Sequence, residues 1–168
     1  MATWVENFLD ACINIQSSVL KEVPLDKRKS AYGRAAKLMI DGPQGAVREL
    51  WFCETGIEKK PENIPLKNTI YMAENTFLNL ITPDCDFPEL VCLIDEGKAV
   101  EEIAKTLYPR LDFRTALANG LVIVSGEQAD YDSEEWSQLI ESFLTRIAFP
   151  FVIRSMLKTR REKNGQRN

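Results

Sequence analysis

A chain of 168 residues, 45% hydrophobic and 27% charged, with a formal net charge of −4, has the size and balance of one ordinary globular domain. That balance excludes a largely disordered chain, which could not bury enough apolar surface to repay its ordering, and a general polyanion binder. Histidine is absent, so Ser-His-Asp and Cys-His nucleophile systems and His-ligated metals are excluded as well.

The N-terminal MATWVENFLDAC has no basic region leading into an uninterrupted apolar stretch, so it does not read as a signal peptide. No run reaches the roughly 18 apolar residues of a membrane span. The expectation is a cytoplasmic chain with no membrane contact, whose Cys12, Cys53, Cys85 and Cys92 stay reduced. Cys85 and Cys92 form a C-x6-C pair without further ligands, which is not a metal signature. No GxGxxG, P-loop or metal-carboxylate motif is present, and neither metal nor cofactor is expected.

Thr3 followed by Glu6 is a capping box. It opens a predicted helix whose apolar stripe runs through Trp4, Val5, Phe8, Leu9, Cys12 and Ile13 and stops before Pro24. Asp26 caps a second predicted helix, KRKSAYGRAAKLMI, with a basic first turn that opposes the helix dipole. Asp41-Gly42-Pro43 ends it, and a third helix is predicted over QGAVRELWFCE. Residues 56–68, with two prolines and no period, read as the longest loop. Asn68 then caps a fourth predicted helix, TIYMAENTFLNLI, with Ile70, Ala73, Phe77, Leu80 and Ile81 inward.

Asp86 and Glu89 repeat the capping-box pattern, and Gly97 closes the short helix that follows. Val100, Ile103, Ala104 and Leu107 mark the next helix, ended by Pro109, and Asp112 caps another from Phe113 to Asn119. Leu121 to Val124 is the only β-branched run, and no strand partner for it is legible in the chain. Ser133 caps the last long predicted helix, which Pro150 kinks or splits at a cost of about 3 kcal/mol if uncompensated. Trp4, Trp51 and Trp136 follow apolar faces and read as core. The expected fold is therefore all-α: one bundle-like domain of seven or eight helices over 1–157, with room for a short β element near 121–125. A basic tail, 158–168, is expected to fray.

The segments EEIAKTL and FRTALANG invite a helix-turn-helix reading, with LVIVSGE as a wing. Tyr108 stands where a turn glycine is common, and YPRLD is long for such a turn. Eight acidic against four basic residues between Asp86 and Glu127 also oppose phosphate contact. The segment reads instead as a helical centre.

Charge is segregated. Residues 21–37 carry six basic against two acidic side chains, and 146–168 carry seven against one, although the whole chain is acidic. Lys27, Arg28, Lys29, Arg34, Arg154, Lys158, Arg160, Arg161 and Lys163 are thus candidate contacts to nucleic acid or to an acidic partner. Phe149, Phe151, Val152 and Met156 belong to a stretch that is apolar nearly all round, a candidate protein interface. The paired carboxylates Asp95-Glu96, Glu101-Glu102 and Glu134-Glu135 point about 100° apart on a helix and do not converge. The resulting expectation is a non-catalytic helical interaction subunit or adaptor in a larger cytosolic assembly, bound to other subunits or to itself. The alternatives are a small helical subunit of an RNA or DNA complex, touching the backbone through 21–37 and 146–168, and an enzyme using carboxylate, Lys or Cys chemistry.

Overall fold

The computed structural model describes residues 1–20, 34–53, 56–66, 68–126, 137, 141 and 144–166. Among these, strands β1 (Arg34–Asp41), β2 (Ala46–Cys53), β3 (Gly56–Lys59), β4 (Asn68–Ala73) and β5 (Val122–Gly126) form one sheet in the order β3-β2-β1-β4-β5. The helices are α1 (Trp4–Leu20), α2 (Glu74–Ile81), α3 (Phe87–Asp95), α4 (Val100–Ala104), α5 (Phe113–Ala118) and α6 (Phe149–Gln166). The all-α expectation is overturned: this is a mixed α/β fold.

Three predicted helices are replaced wholly or in part by strands. The described part of the second is β1, the third is β2, and the first turns of the fourth are β4, so Asn68 opens a strand rather than capping a helix. The expected loop at 56–68 contains β3. The physical reason is burial with period two. Ala36, Leu38 and Ile40 of β1 are all buried, as are Asn68, Ile70 and Met72 of β4, while Tyr71 between them is exposed. Each fully buried Leu or Ile contributes about 1.5–3 kcal/mol, which outweighs helix propensity differences of under about 1 kcal/mol per residue.

The register aligns these residues into rows. Leu38 stands opposite Arg48 on one side and Ile70 on the other, and Ile70 stands opposite Val124. Ile40 stands opposite Ala46 and Met72, and Met72 opposite Val122. The central pair, β1 with β4, is parallel; its neighbours are antiparallel. Parallel pairing needs a crossover, and β2, β3 and residues 60–66 supply it. β5 finds its partner in β4 of the same chain, so the strand without a legible partner is accounted for. It is no wing: Val122 is buried in the common core. On the opposite face Val47, Met39, Tyr71 and Ile123 form one row across four strands, with Val47, Tyr71 and Ile123 exposed.

The helical expectations after Thr3, Asp86 and Asp112 hold, whereas the one capped by Asp26 gives way to a strand in its described part and the one capped by Asn68 does so in its first turns. Thr3 Oγ1 accepts from the Glu6 N–H at 3.2 Å and Glu6 Oε2 accepts from the Thr3 N–H at 3.1 Å, the reciprocal capping box. Asp112 Oδ2 accepts from the Thr115 N–H at 3.2 Å at the start of α5. Asp86 occupies the N-cap of α3 without a side-chain cap bond. The long turn before α5 is tied to the end of α2. There the Asp84 N–H donates to the Tyr108 carbonyl at 2.7 Å, and the Arg110 N–H donates to the Thr82 carbonyl at 3.0 Å.

Pro150 lies in the first turn of α6, and the five residues before α6, Leu144–Ala148, form a π-helical turn. Pro150 has no N–H to bond back, and the wider turn ahead of it gives its ring room. The chain there is compensated rather than broken, and Phe149 and Ile153, on either side of Pro150, are fully buried.

The turn between β1 and β2 holds the start of α1. The Trp4 N–H donates to Gln44 Oε1 at 3.2 Å, and the Gln44 N–H donates to Glu74 Oε2 at 3.1 Å. Arg48 explains its own place among inward positions of β2: it reaches Glu6 at 3.3 Å and Asp10 at 3.7 Å on α1. These contacts tie α1 to the β1–β2 turn and to β2.

Candidate functional site

α1, the end of α2 and α6 do not close completely on one another. Between them lies an open cavity of about 660 Å³. α1 contributes Trp4, Asn7, Phe8 and Ala11, at the helical spacing that puts them on one side. The α2 end contributes Leu78, Ile81 and Thr82. α6 contributes Phe151, Val152, Ser155, Met156 and Thr159, again one stripe.

An aromatic cluster builds the deep wall. Phe8 meets Trp4, Phe77 and Phe151 edge to face, with ring centroids 5.9, 5.9 and 5.4 Å apart. Trp4 also lies tilted against Phe77 at 6.2 Å. These offsets and edge contacts are the arrangements that ring quadrupoles favour. They make the wall rigid without filling the space beside it.

The polar groups of the lining are few. Thr82 Oγ1 donates to the Leu78 carbonyl at 2.6 Å, Ser155 Oγ to the Phe151 carbonyl at 3.0 Å, and Thr159 Oγ1 to the Ser155 carbonyl at 3.0 Å. Asn7 is exposed at the edge. The titratable thiols of the core are quiet: burial pushes Cys12 up to about 12 and also raises Cys85, so both stay protonated at neutral pH. Cys12, Cys85 and Cys92 are free. Among the described residues no group of ligands suited to a metal ion is found, and no helix is long and apolar enough to cross a membrane.

The sequence candidates divide. Phe149 is fully buried, whereas Phe151, Val152 and Met156 are half-buried and line the cavity. The surplus apolar side of the last helix thus lines this open cavity. Arg154 is exposed and ion-paired to Glu101 of α4, which lowers the Glu101 carboxyl through the hydrogen bond from Arg154. Lys158, Arg160, Arg161 and Lys163 are exposed along α6. Arg34 opens β1 opposite Phe52, and Lys27, Arg28 and Lys29 lie outside the described residues. The structure does not join the two basic segments into one described surface. The helical adaptor and the helical nucleoprotein subunit are both corrected: the domain is built on a five-stranded sheet, and its conspicuous apolar helix face lines an open cavity.

Sequence reasoning missed the cavity residues of α1 and α2. Trp4, Phe8 and Ile81 were legible as an apolar stripe, which is indistinguishable from core until the opposing wall is known.

No protein-family model matches the chain, and no curated protein matches it in sequence. Solved structures to which it is similar include a UbiJ-SCP2 ubiquinone synthesis protein, at 14% identity and TM-score 0.42 over 77% of this chain and 90% of that one. Sterol carrier protein 2 from Yarrowia lipolytica, in its apo form, aligns at 10% identity and TM-score 0.43 over 79% and 88%. Sterol carrier protein-2 like-3 from Aedes aegypti aligns at 15% identity and TM-score 0.40 over 82% and 99%. Likeness at this level carries no argument about what the chain binds.

Proposed function

We propose that this chain binds one apolar or amphipathic small molecule of lipid type in the cavity between α1, α2 and α6. The cavity itself carries the reading, rather than the low likeness to structures named as sterol carriers. Its volume of about 660 Å³ falls inside the roughly 300–1,000 Å³ of typical ligand sites, and such sites are mostly apolar with a few placed polar groups. A rigid aromatic wall facing open space is costly if only water touches it, and a ligand removes that apolar area from water at about 25 cal/mol per Å².

Binding rather than turnover is the reading, supported by a described lining of apolar, amide and hydroxyl groups. A reducing, cytoplasm-like compartment fits the free thiols. The test is titration of the full chain with a neutral fluorescent reporter such as N-phenyl-1-naphthylamine, for wild type and Ala11→Trp. Ala11 is half-buried on the cavity side of α1, so an indole there fills the space. Wild type should bind with Kd below about 100 μM, and A11W about tenfold or more weakly at unchanged helical content. Equal binding by both proteins, or none by wild type, would overturn the reading.

A further inference from the structure

Resting on that site, we propose that the ligand's polar end is a neutral hydrogen-bond donor, so that the preferred class is a long-chain alcohol and not the matching fatty-acid anion. Three of the five hydrogen-bonding side chains that line the cavity are hydroxyls, Thr82, Ser155 and Thr159; the other two are Asn7 and the Trp4 indole, a donor only. Each hydroxyl has one proton and two lone pairs. In all three the proton is committed to a helix carbonyl four residues back, at 2.6, 3.0 and 3.0 Å. Toward the cavity these groups therefore present acceptors.

A carboxylate is acceptor-only when ionised. Placed against Thr82 or against the Ser155 and Thr159 pair, it sets lone pairs against lone pairs. A hydroxyl could turn toward it only by giving up its bond to the backbone. None of the described lining residues is cationic, and Arg154, also on α6, is engaged by Glu101. An alcohol suits the same lining in both directions: its O–H donates to a serine or threonine oxygen, and its lone pairs accept from the amide of Asn7. Asn7 stands at the exposed edge, where a head group would lie while the chain runs inward along Phe8 and Phe151.

The experiment compares 1-dodecanol with dodecanoate, two ligands of one chain length, as competitors of the same neutral reporter on the full chain at pH 8. Dodecanol should compete about tenfold more strongly. Asn7→Lys, a change at an exposed helix position, places a cation at the edge and should bring dodecanoate to within about twofold of dodecanol. If dodecanoate competes as well as dodecanol on wild type, the head-group assignment is overturned while the site stands. If the reporter binds and neither dodecyl ligand displaces it, the lipid-class ligand and the head group fall together. If the reporter itself does not bind, the site falls first.

Discussion

The contact between Phe8 and Phe151 joins α1 to α6 across the base of the cavity, and its strength can be isolated. The rings meet at 80° with centroids 5.4 Å apart. Replacing either by leucine keeps most of the apolar volume and removes the ring. Phe8, only 6% exposed, makes three edge-to-face pairs. Phe8→Leu should therefore cost about 2 kcal/mol, from pairs worth roughly 0.5–1.5 kcal/mol each that are not additive. Phe151 is half-buried, and its aromatic partner among the described residues is Phe8, so Phe151→Leu should cost about 1 kcal/mol. The double variant should recover a coupling of about 0.5–1.5 kcal/mol. Urea unfolding read by fluorescence, with all four proteins at one m-value, measures it. A coupling below about 0.3 kcal/mol, the ordinary error of additivity, would show that the two rings do not bear on each other.

Two further outcomes follow from the backbone and from the core thiol. Gly45→Ala drives a Cβ into the Ile40 carbonyl oxygen, a backbone atom that cannot move aside. It should cost at least about 2 kcal/mol, or about 4–8 °C in Tm. Gly97→Ala, at φ +92° but with nothing within 4 Å, should cost only about 1 kcal/mol. Equal melting temperatures for the two variants would refute the steric account. Cys12, fully buried, has a thiol raised from 9.0 to about 12. A raised acid binds its proton more tightly when folded, so its contribution is complete below pH 9 and is lost as pH rises toward 12. Wild type should lose up to about 1.4 kcal/mol per pH unit more than Cys12→Ala above pH 9. Parallel stability curves for the two would count against burial as the cause.

How much was legible depends on how local the deciding interaction is. The capping box at Thr3 and Glu6, the cap at Asp112 and the core face Phe77, Leu80, Ile81 are short-range features, and the structure has them. β1 and β2 are different. RAAKLMID and AVRELWFC are rich in Ala, Leu, Lys, Arg and Glu, which favour helix. Their alternation is hidden because Ala35 and Met39 are apolar between the inward positions of β1, while Arg48 is a charge among those of β2. Arg48 is tolerated there because Glu6 and Asp10 meet it from α1, a contact that no local pattern announces. The parallel pairing of β1 with β4 is equally non-local. The cavity was half legible: Phe151, Val152 and Met156 stood out as surplus apolar surface, but whether such surplus faces outward or encloses space depends on Trp4 and Phe8, far off in sequence.

That distance has a kinetic consequence. The walls are residues 4–11, 78–82 and 151–159, so the pocket does not exist until all three are in place, and it vanishes whenever α6 lifts. Hydrogen exchange along α6 reads that opening directly, because sub-global unfolding of one element proceeds without the rest. A molecule bound between the walls, as proposed, would act as a removable staple. Loading it should slow exchange in α6 and α1 together while leaving β4 unchanged.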